Sequence, residues 1–272
     1  MNLHDKTVLI TGGRRIGAKL AVQLAQRGAN IAFSYLTSGD ALNAVADECR
    51  RVGVRAETFR ADLRSADEAE RLVEWTVGTF GSVDVLVNLT SIYTRTPFAT
   101  LRPEDYEAML TANLTAPYWV AVAAARAMQR QPVIDGLQGK IIHFTDWAVD
   151  RPYRDFLPYL IAKGGLVTLT KALAVELAPT ITVNAVAPGT VEPPPGLAES
   201  KLQQIRESSA LGRIGSANDV IQAVLYLLEG TDFATGEVLR VDGGRFLGPA
   251  GATSSDLDHI GSGQAETKAP SP

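Results

Sequence analysis

Cysteine, histidine and charge imbalance are all scarce in this sequence of 272 residues, and each scarcity excludes a class of protein. Cys49 is the only cysteine, so the chain forms no internal disulfide. The three histidines, His4, His143 and His259, lie far apart and without metal-binding spacing, so we predict no metal site. The formal net charge of −4 provides no electrostatic basis for binding nucleic acid or an anionic membrane.

The sequence also shows no pattern typical of a secretion signal or of a membrane-spanning segment. Residues 1–5 lead directly into an apolar strand pattern, without the charged-then-apolar order of a secretion signal. We find no single apolar run long enough to span a bilayer. Together with the lone cysteine, these features predict a cytoplasmic protein.

Short apolar runs alternate with helical patterns from residue 6 to residue 246. Runs such as Thr7–Ile10 and Ile31–Phe33 are apolar at successive positions, which is typical of a parallel sheet covered by helices on both faces. The sequence therefore predicts one α/β domain over residues 1–246. Residues 247–272 are rich in Gly, Ala, Ser and Pro, which indicates a flexible C-terminal tail.

Residues 140–163 combine an acid, a phenol and a lysine where a strand leads into a helix. Tyr159 and Lys163 are four residues apart in the predicted helix, so their side chains share one face. An ammonium beside a phenol lowers the pKa of the phenol, and a phenol of lowered pKa can transfer a proton at neutral pH. With Asp146 nearby, the stretch predicts a catalytic centre.

A strand, a Gly-rich turn and a helix at the start of the chain are typical of a diphosphate-binding site. The turn is Gly12–Arg15, although a plain tight turn is the alternative. The second strand ends in Ser34–Ser38 and lacks the acid that would bind the ribose diol of NAD, which favours NADPH. Asp62 is placed either to accept from the adenine amino group or to cap the next helix.

These motifs together resemble the short-chain dehydrogenase/reductase family, in order and at family spacing, from about residue 6 to residue 246. The matching positions are Thr11–Gly17, Asp62-Leu63, Asn88, Asn113, Tyr159-x-x-x-Lys163, Pro188-Gly189 and Val241–Gly244. The resemblance implies a single-domain Rossmann fold with a doubly wound, seven-stranded parallel sheet, a nicotinamide cofactor and a homotetramer.

The resemblance also implies roles for individual residues. Tyr159 would be the proton donor, Lys163 would hold the nicotinamide ribose and lower the phenol pKa, and Asn113 would support a water relay. The implied cofactor contacts are Gly12, Arg14, Arg15, Ile16, Ser38, Asp62, Leu63, Asn88, Ser91, Lys163, Pro188 and Gly189.

Four positions depart from the family pattern. The Gly motif is one residue short and has Arg15 in place of its middle glycine, and N-N-A-G is replaced by Asn88–Ser91. Asp146 stands where the family has a catalytic serine, and Tyr93 follows the degenerate motif. Within the family, Arg15, Tyr93 and Asp146 resemble the pteridine reductases, whose corresponding aromatic stacks on the pterin.

The resemblance thus implies an NADPH-dependent reductase of a pteridine-type C=N bond, with a substrate like dihydrobiopterin or dihydrofolate. Tyr159 would transfer the proton with Asp146 and Lys163, and Arg15, Tyr93, Asp146 and Tyr159 would contact the substrate. A carbonyl reductase acting on a 3-oxoacyl or other ketone is the alternative, although an ionised Asp146 would oppose the growing alkoxide. A non-catalytic NADP(H)-binding sensor is a further alternative, favoured by the short Gly loop; Asp146 would then be a structural acid, and Tyr93 an ordinary loop aromatic.

Overall fold

Seven parallel strands form one sheet through the middle of the chain in the computed structural model, which describes residues 1–13, 15–193 and 196–249. The strand order is β3-β2-β1-β4-β5-β6-β7, which confirms the predicted doubly wound sheet. The strands are β1 Thr7–Gly12, β2 Asn30–Tyr35, β3 Ala56–Arg60, β4 Val85–Leu89, β5 Gly139–Phe144, β6 Ile181–Pro188 and β7 Val238–Val241.

Helices cover both faces of this sheet. Within the described residues they are α1 Ile16–Ala25, α2 Gly39–Arg51, α3 Ala66–Phe80, α4 Pro103–Leu110, α5 Ala116–Met128, α6 Leu157–Glu176, α7 Glu199–Glu207 and α8 Ala217–Leu225. One hydrophobic cluster joins the sheet to α1, α2 and α8, and a second joins it to α3, α5 and α6. Most of the predicted tail, residues 250–272, lies outside the described residues, as does Arg14.

The strands are apolar at successive positions because both of their faces are buried. In β1, Val8 and Ile10 pack into the first cluster, whereas Leu9 between them packs into the second. All three side chains are fully buried. This two-sided burial explains why the sequence shows continuous apolar runs instead of alternation.

The sheet changes winding direction at β1, which pairs with β2 on one side and with β4 on the other. At such a switch the connections leave toward opposite faces, so a crevice opens at the carboxyl ends of the two central strands. Gly12 at the end of β1 and Asn88 near the end of β4 lie at that edge. The candidate site is built around this crevice.

A continuous helical run from Pro103 to Met128 joins α4 and α5 through a π-helical segment, Thr111–Thr115. Its 26 residues contain an 18-residue window of mean hydropathy 1.2, so by length and composition alone the run could cross a bilayer. A buried core helix meets the same test of length and composition, so this run does not contradict the prediction. Half of its apolar window is buried inside the protein, and Val120 and Ala124 belong to the second core cluster. The run packs as a core helix of the domain.

Candidate active site

Three predicted catalytic residues lie together just beyond the end of β5. The Tyr159 hydroxyl donates a hydrogen bond of 2.7 Å to Oδ2 of Asp146. The other oxygen of Asp146 accepts from the backbone N–H of Ala148 at 2.9 Å, which starts a short 3₁₀ turn. Lys163 lies one turn further along α6, and its ammonium donates to the carbonyl oxygen of Phe144 at 2.8 Å.

Burial dominates the protonation of these groups. It raises the pKa of Asp146, against the opposing effects of the Ala148 N–H, Tyr159, Lys163 and Arg245. It raises the pKa of Tyr159 well above its usual value, and the neighbouring Asp146 raises it further. It lowers the pKa of Lys163 to about 8. Tyr159 is therefore a neutral phenol with a proton to give, and Asp146 is biased toward its neutral acid form.

The predicted lowering of the Tyr159 pKa by Lys163 is wrong in this arrangement. The Lys163 ammonium is directed to a backbone carbonyl and lies 5.8 Å from the centroid of the Tyr159 ring. The carboxyl of Asp146, at 2.7 Å, is much closer to the hydroxyl. A nearby carboxylate disfavours a phenolate, so its effect has the opposite sign.

An aromatic wall stands over Tyr159 and is formed by Tyr93, Tyr153 and Phe156. Tyr93 stacks on Phe156 at a centroid distance of 4.5 Å and meets the ring of Tyr159 edge-on at 5.0 Å. The hydroxyls of Tyr93 and Tyr153 are 3.0 Å apart. Tyr93 was predicted to contact the substrate, whereas Tyr153 and Phe156 were not recognised, although their position just before α6 was visible in the sequence.

Asn113 is fully buried in the π-helical segment and holds the loop that follows β4. Its side-chain oxygen accepts from the Ser91 hydroxyl at 2.6 Å and from the Ile92 N–H at 3.0 Å. Its amide nitrogen donates to the Met109 carbonyl at 3.1 Å. The side chain thus positions the loop beneath Tyr93, and its part in a water relay stays a prediction.

A cleft of about 560 Å³ runs along the carboxyl ends of β1, β2, β3 and β4. Predicted cofactor residues that line it are Gly12, Asp62, Leu63 and Ser91. Asp62 is paired with Arg64, whose Nε donates to it at 2.8 Å. The cap of α3 is Ser65, which accepts from the Glu68 N–H, so the alternative of Asp62 as a helix cap is wrong.

The Gly12 turn fits the diphosphate of a dinucleotide. Gly12 has a φ of +66°, and a Cβ there would lie 3.1 Å from Cα of Thr90. The Thr90 hydroxyl is buried and has no hydrogen-bond partner among the described residues. Helix α1 begins at Ile16, where the N-cap residue Arg15 makes no side-chain capping bond and the Ala18 N–H donates to the Gly13 carbonyl at 3.0 Å. A helix N-terminus and an unpaired hydroxyl provide hydrogen-bond donors, and the glycine lets a diphosphate approach them closely.

Three predicted cofactor residues have structural partners in the protein. The Asn88 side chain accepts from Thr11 Oγ1 at 2.6 Å and donates to the Pro117 carbonyl at 3.0 Å, which ties β1 and β4 to α5. Gly189, next to Pro188, donates its N–H to Val241 at 2.8 Å. A Cβ at Gly189 would lie 2.7 Å from Cα of Asp242, so this contact requires glycine.

Arg15 does not join the aromatic wall. Its guanidinium donates at 3.0 Å to the carbonyl oxygen of Glu192, in the loop after β6. Among the described residues it makes no hydrogen bond or cation–π contact with Tyr93. Contact of Arg15 with a substrate stays a prediction.

Arg60 is a cation near the cofactor cleft that sequence reasoning missed. It ends β3 and is paired in register with Tyr35 at the end of β2. Its Nε donates to the Leu36 carbonyl at 3.3 Å, and it lines a pocket of about 360 Å³ with Thr37 and Ser38. Ser38 is the N-cap residue of α2, without a side-chain capping bond. The pairing of neighbouring strand ends was the signal that could have found Arg60.

The fold and this crevice define a doubly wound α/β protein of the dinucleotide-binding type. A family model described as "Enoyl-(Acyl carrier protein) reductase" matches residues 12–245. The short-chain dehydrogenase/reductase of Serratia marcescens has 34% sequence identity and a TM-score of 0.82, over 90% of this chain and all of that one. The chain belongs to the short-chain dehydrogenase/reductase family.

Two further relatives are named for the compounds they act on. The 3-oxoacyl-[acyl-carrier-protein] reductase FabG of Staphylococcus epidermidis is 32% identical over 250 residues, which are 89% of this chain and 100% of that protein. The acetoin dehydrogenase YohF of Salmonella typhimurium has 32% identity and a TM-score of 0.79, over 89% of this chain and 97% of that one.

These relatives overturn the prediction of a pteridine reductase, which is wrong. The prediction depended on Arg15, Tyr93 and Asp146 acting together on a pterin. In the structure Arg15 binds Glu192, and the face of Tyr93 is stacked on Phe156. Agreement at three positions was not sufficient to specify the substrate class.

Proposed function

We propose that the protein is an NADPH-dependent reductase of a ketone, with 3-oxoacyl thioesters and small hydroxyketones as the first substrates to test. The hydrogen bond from Tyr159 to Asp146, 2.7 Å long, carries this proposal, because it places a neutral phenol and a buried acid at one point. The names of the FabG and YohF relatives support a carbonyl substrate.

Tyr159 would protonate the carbonyl oxygen during reduction. Its raised pKa keeps the proton on the phenol until negative charge develops on the substrate oxygen. Asp146 would act as the second donor to that oxygen. An ionised carboxylate cannot donate, but a carboxyl kept neutral by its surroundings can, and burial moves Asp146 in that direction.

Lys163 would supply positive charge beneath the phenol. It is 98% buried, and with a pKa of about 8 it is still largely protonated at neutral pH. Its ammonium, held by the Phe144 carbonyl, is available to orient a cofactor ribose as the family resemblance implies. The cofactor, when bound, supplies the hydride that reduces the carbonyl carbon to an alcohol.

Preference for NADPH over NADH is supported by the end of β2. The residues there, Ser34–Ser38, include no acid that would repel a 2′-phosphate. Arg60 lies beside them and provides a cation at the same edge of the sheet. Gly12 and the start of α1 would hold the diphosphate, and Asp62, Leu63 and Ser91 would line the adenosine half of the cleft.

Assembly and location belong to the same proposal. We propose a homotetramer, because large apolar side chains such as Phe98, Val175 and Phe233 are more than three-quarters exposed on the single chain. Residues 1–246 would form the catalytic domain and residues 247–272 a tail. A cytoplasmic location fits the single buried thiol, Cys49.

NADPH oxidation with acetoacetyl thioester and with acetoin tests the proposal. We expect turnover with at least one of them, and weaker turnover when NADH replaces NADPH. Tight NADPH binding without oxidation by any ketone would refute the proposed reaction and favour a non-catalytic sensor.

A further inference from the structure

Arg245 is a half-buried cation that lies beside the candidate active site, next to Trp147. It follows β7 in a turn that Asp242 holds by accepting from the N–H groups of Gly244 at 2.9 Å and Phe246 at 2.8 Å. Its guanidinium lies 4.5 Å above the centroid of Trp147, the residue after Asp146. It also donates to the Thr190 hydroxyl. The hydrogen-bonded turn fixes the backbone of Arg245, and stacking on Trp147 fixes its guanidinium.

The hydrogen-bonding capacity of Arg245 is not satisfied within the described residues. Its Nε is buried and has no hydrogen-bond partner among residues 1–13, 15–193 and 196–249, and none of the acids in these ranges forms an ion pair with its guanidinium. Other arginines near this end of the sheet differ, since Arg213 is paired with Asp219 and Arg240 with Asp150. A half-buried guanidinium with an unpaired N–H is costly unless an anion completes it.

The charge around Arg245 adds to the attraction for an anion. The Arg151 guanidinium donates to the Arg245 carbonyl at 2.8 Å, so two cations are adjacent. The groups that face Arg245 from the other elements are Tyr93, Tyr153 and Asp146. Asp146 is the only acid among them, and burial biases it toward the neutral form. Arg245 lines a pocket of about 210 Å³ whose two acids are already engaged, Asp219 with Arg213 and Asp242 with backbone N–H groups, so its own positive charge is left uncompensated there.

We propose that Arg245 binds a carboxylate of the substrate, so that the ketone reduced by this enzyme belongs to an oxo acid. The inference rests on the proposed ketone reduction. A guanidinium matches a carboxylate with two parallel hydrogen bonds, and stacking on Trp147 holds its plane. Tyr159 bonds to Asp146, and Arg245 stacks on the next residue, Trp147, so the proton donor and the guanidinium are both held at one short turn.

Binding of the carboxylate would also assist the chemistry. Arg245 is one of the groups that oppose the raised pKa of Asp146. A substrate anion paired with Arg245 cancels part of that charge, so Asp146 holds its proton more firmly and remains a donor. A neutral ketone would leave the positive charge of Arg245 in place.

The test compares levulinate with methyl levulinate, and acetoacetate with methyl acetoacetate, as substrates of the NADPH-loaded enzyme. We expect kcat/KM to favour the acid over its ester by about 10- to 100-fold, mainly through KM, and R245Q to reduce that ratio to about one. Arg71→Gln, which removes an exposed arginine of α3 paired with Glu68, is the charge-matched control and should keep the preference. Equal use of acid and ester by the unmodified enzyme, or a preference retained in R245Q, would overturn the inference.

Two binding measurements separate this inference from its alternatives. If R245Q weakens NADPH binding and leaves the acid-to-ester ratio unchanged, the oxyanion belongs to the cofactor and the inference is wrong. If no ketone is reduced at all, quenching of tryptophan fluorescence by levulinate still reports on the site, because Arg245 contacts Trp147. Saturable quenching that R245Q abolishes would support the carboxylate site even though the proposed reaction had failed, and no quenching would refute it.

Discussion

Replacing Asp146 with serine tests how a buried acid serves ketone reduction. In the unmodified enzyme only the protonated carboxyl donates to the substrate oxygen, and above its pKa the protonated fraction falls tenfold with each pH unit. A serine hydroxyl donates at every working pH. We therefore expect D146S to equal the unmodified enzyme at low pH and to exceed it increasingly as pH rises.

The magnitude follows from the value of one oxyanion donor, about 10²–10³-fold in kcat. D146A, which cannot donate, should be slower than D146S by about that factor across the pH range. Asp146 raises the pKa of Lys163, which is about 8 in the unmodified enzyme, so the pH limb from Lys163 should move to lower pH in both variants. Asp146 also starts the 3₁₀ turn at Trp147, so loss of its capping bond in D146A should cost about 1 kcal/mol of stability.

Steady-state kcat and kcat/KM for acetoacetyl thioester, measured from pH 5 to pH 9, provide the assay. Thermal unfolding of each variant at one pH serves as the folding control. If D146S loses as much activity as D146A, the donor role of Asp146 is wrong. The role is also wrong if the activity of D146S falls with rising pH below pH 8 as it does in the unmodified enzyme.

Three further predictions concern the cofactor turn and the core. Gly12→Ala places a Cβ 3.1 Å from the Thr90 backbone at a positive φ, so NADPH affinity measured by fluorescence should fall at least tenfold. The control is Gly53→Ala, which is also at a positive φ but has open space around it. Equal NADPH affinities of the two variants would contradict the role of the turn. Burial lowers the pKa of His143 to about 3, so the unfolded chain binds the extra proton between pH 6.5 and 3 and stability falls as pH falls through that window. By pH 5 this group should cost about 2 kcal/mol in urea unfolding relative to pH 7, and a His143→Gln variant with the same pH dependence would refute it. Burial raises the pKa of Cys49 to about 11, so a thiol reagent at pH 8 should modify it only after unfolding, and rapid labelling of the native protein would contradict its burial.

The parts of the fold that sequence predicted well depend on spacing within single elements. Tyr159 and Lys163 share a face of α6 because they are four residues apart, and the end of β5 carries Asp146 to the same place. The two-sided burial of the strands likewise appears as continuous apolar runs. The π-helical segment that joins α4 to α5 leaves no such local pattern.

The parts that sequence did not predict depend on contacts between distant segments. Arg245 meets Trp147 only because β7 is the edge strand beside β6, which returns the chain to the end of β5. The pKa of Tyr159 is raised, not lowered as predicted, because burial and Asp146 dominate and the Lys163 ammonium is directed to the Phe144 carbonyl. The spacing of Tyr159 and Lys163 does not specify that partner. The substrate class was wrong because matches at three positions, Arg15, Tyr93 and Asp146, do not by themselves specify what a member of this family reduces, and the relatives are named for ketone substrates.

The central claim is that Tyr159 protonates a ketone oxygen during NADPH-dependent reduction. Its most direct test is single-turnover oxidation of bound NADPH by acetoacetyl thioester in the unmodified enzyme, in Tyr159→Phe, and in Tyr226→Phe, which changes an exposed tyrosine elsewhere. We predict that Tyr159→Phe slows the step by about 10²–10⁴-fold while NADPH still binds, and that Tyr226→Phe leaves it unchanged. Oxidation at the unmodified rate in Tyr159→Phe would contradict the claim.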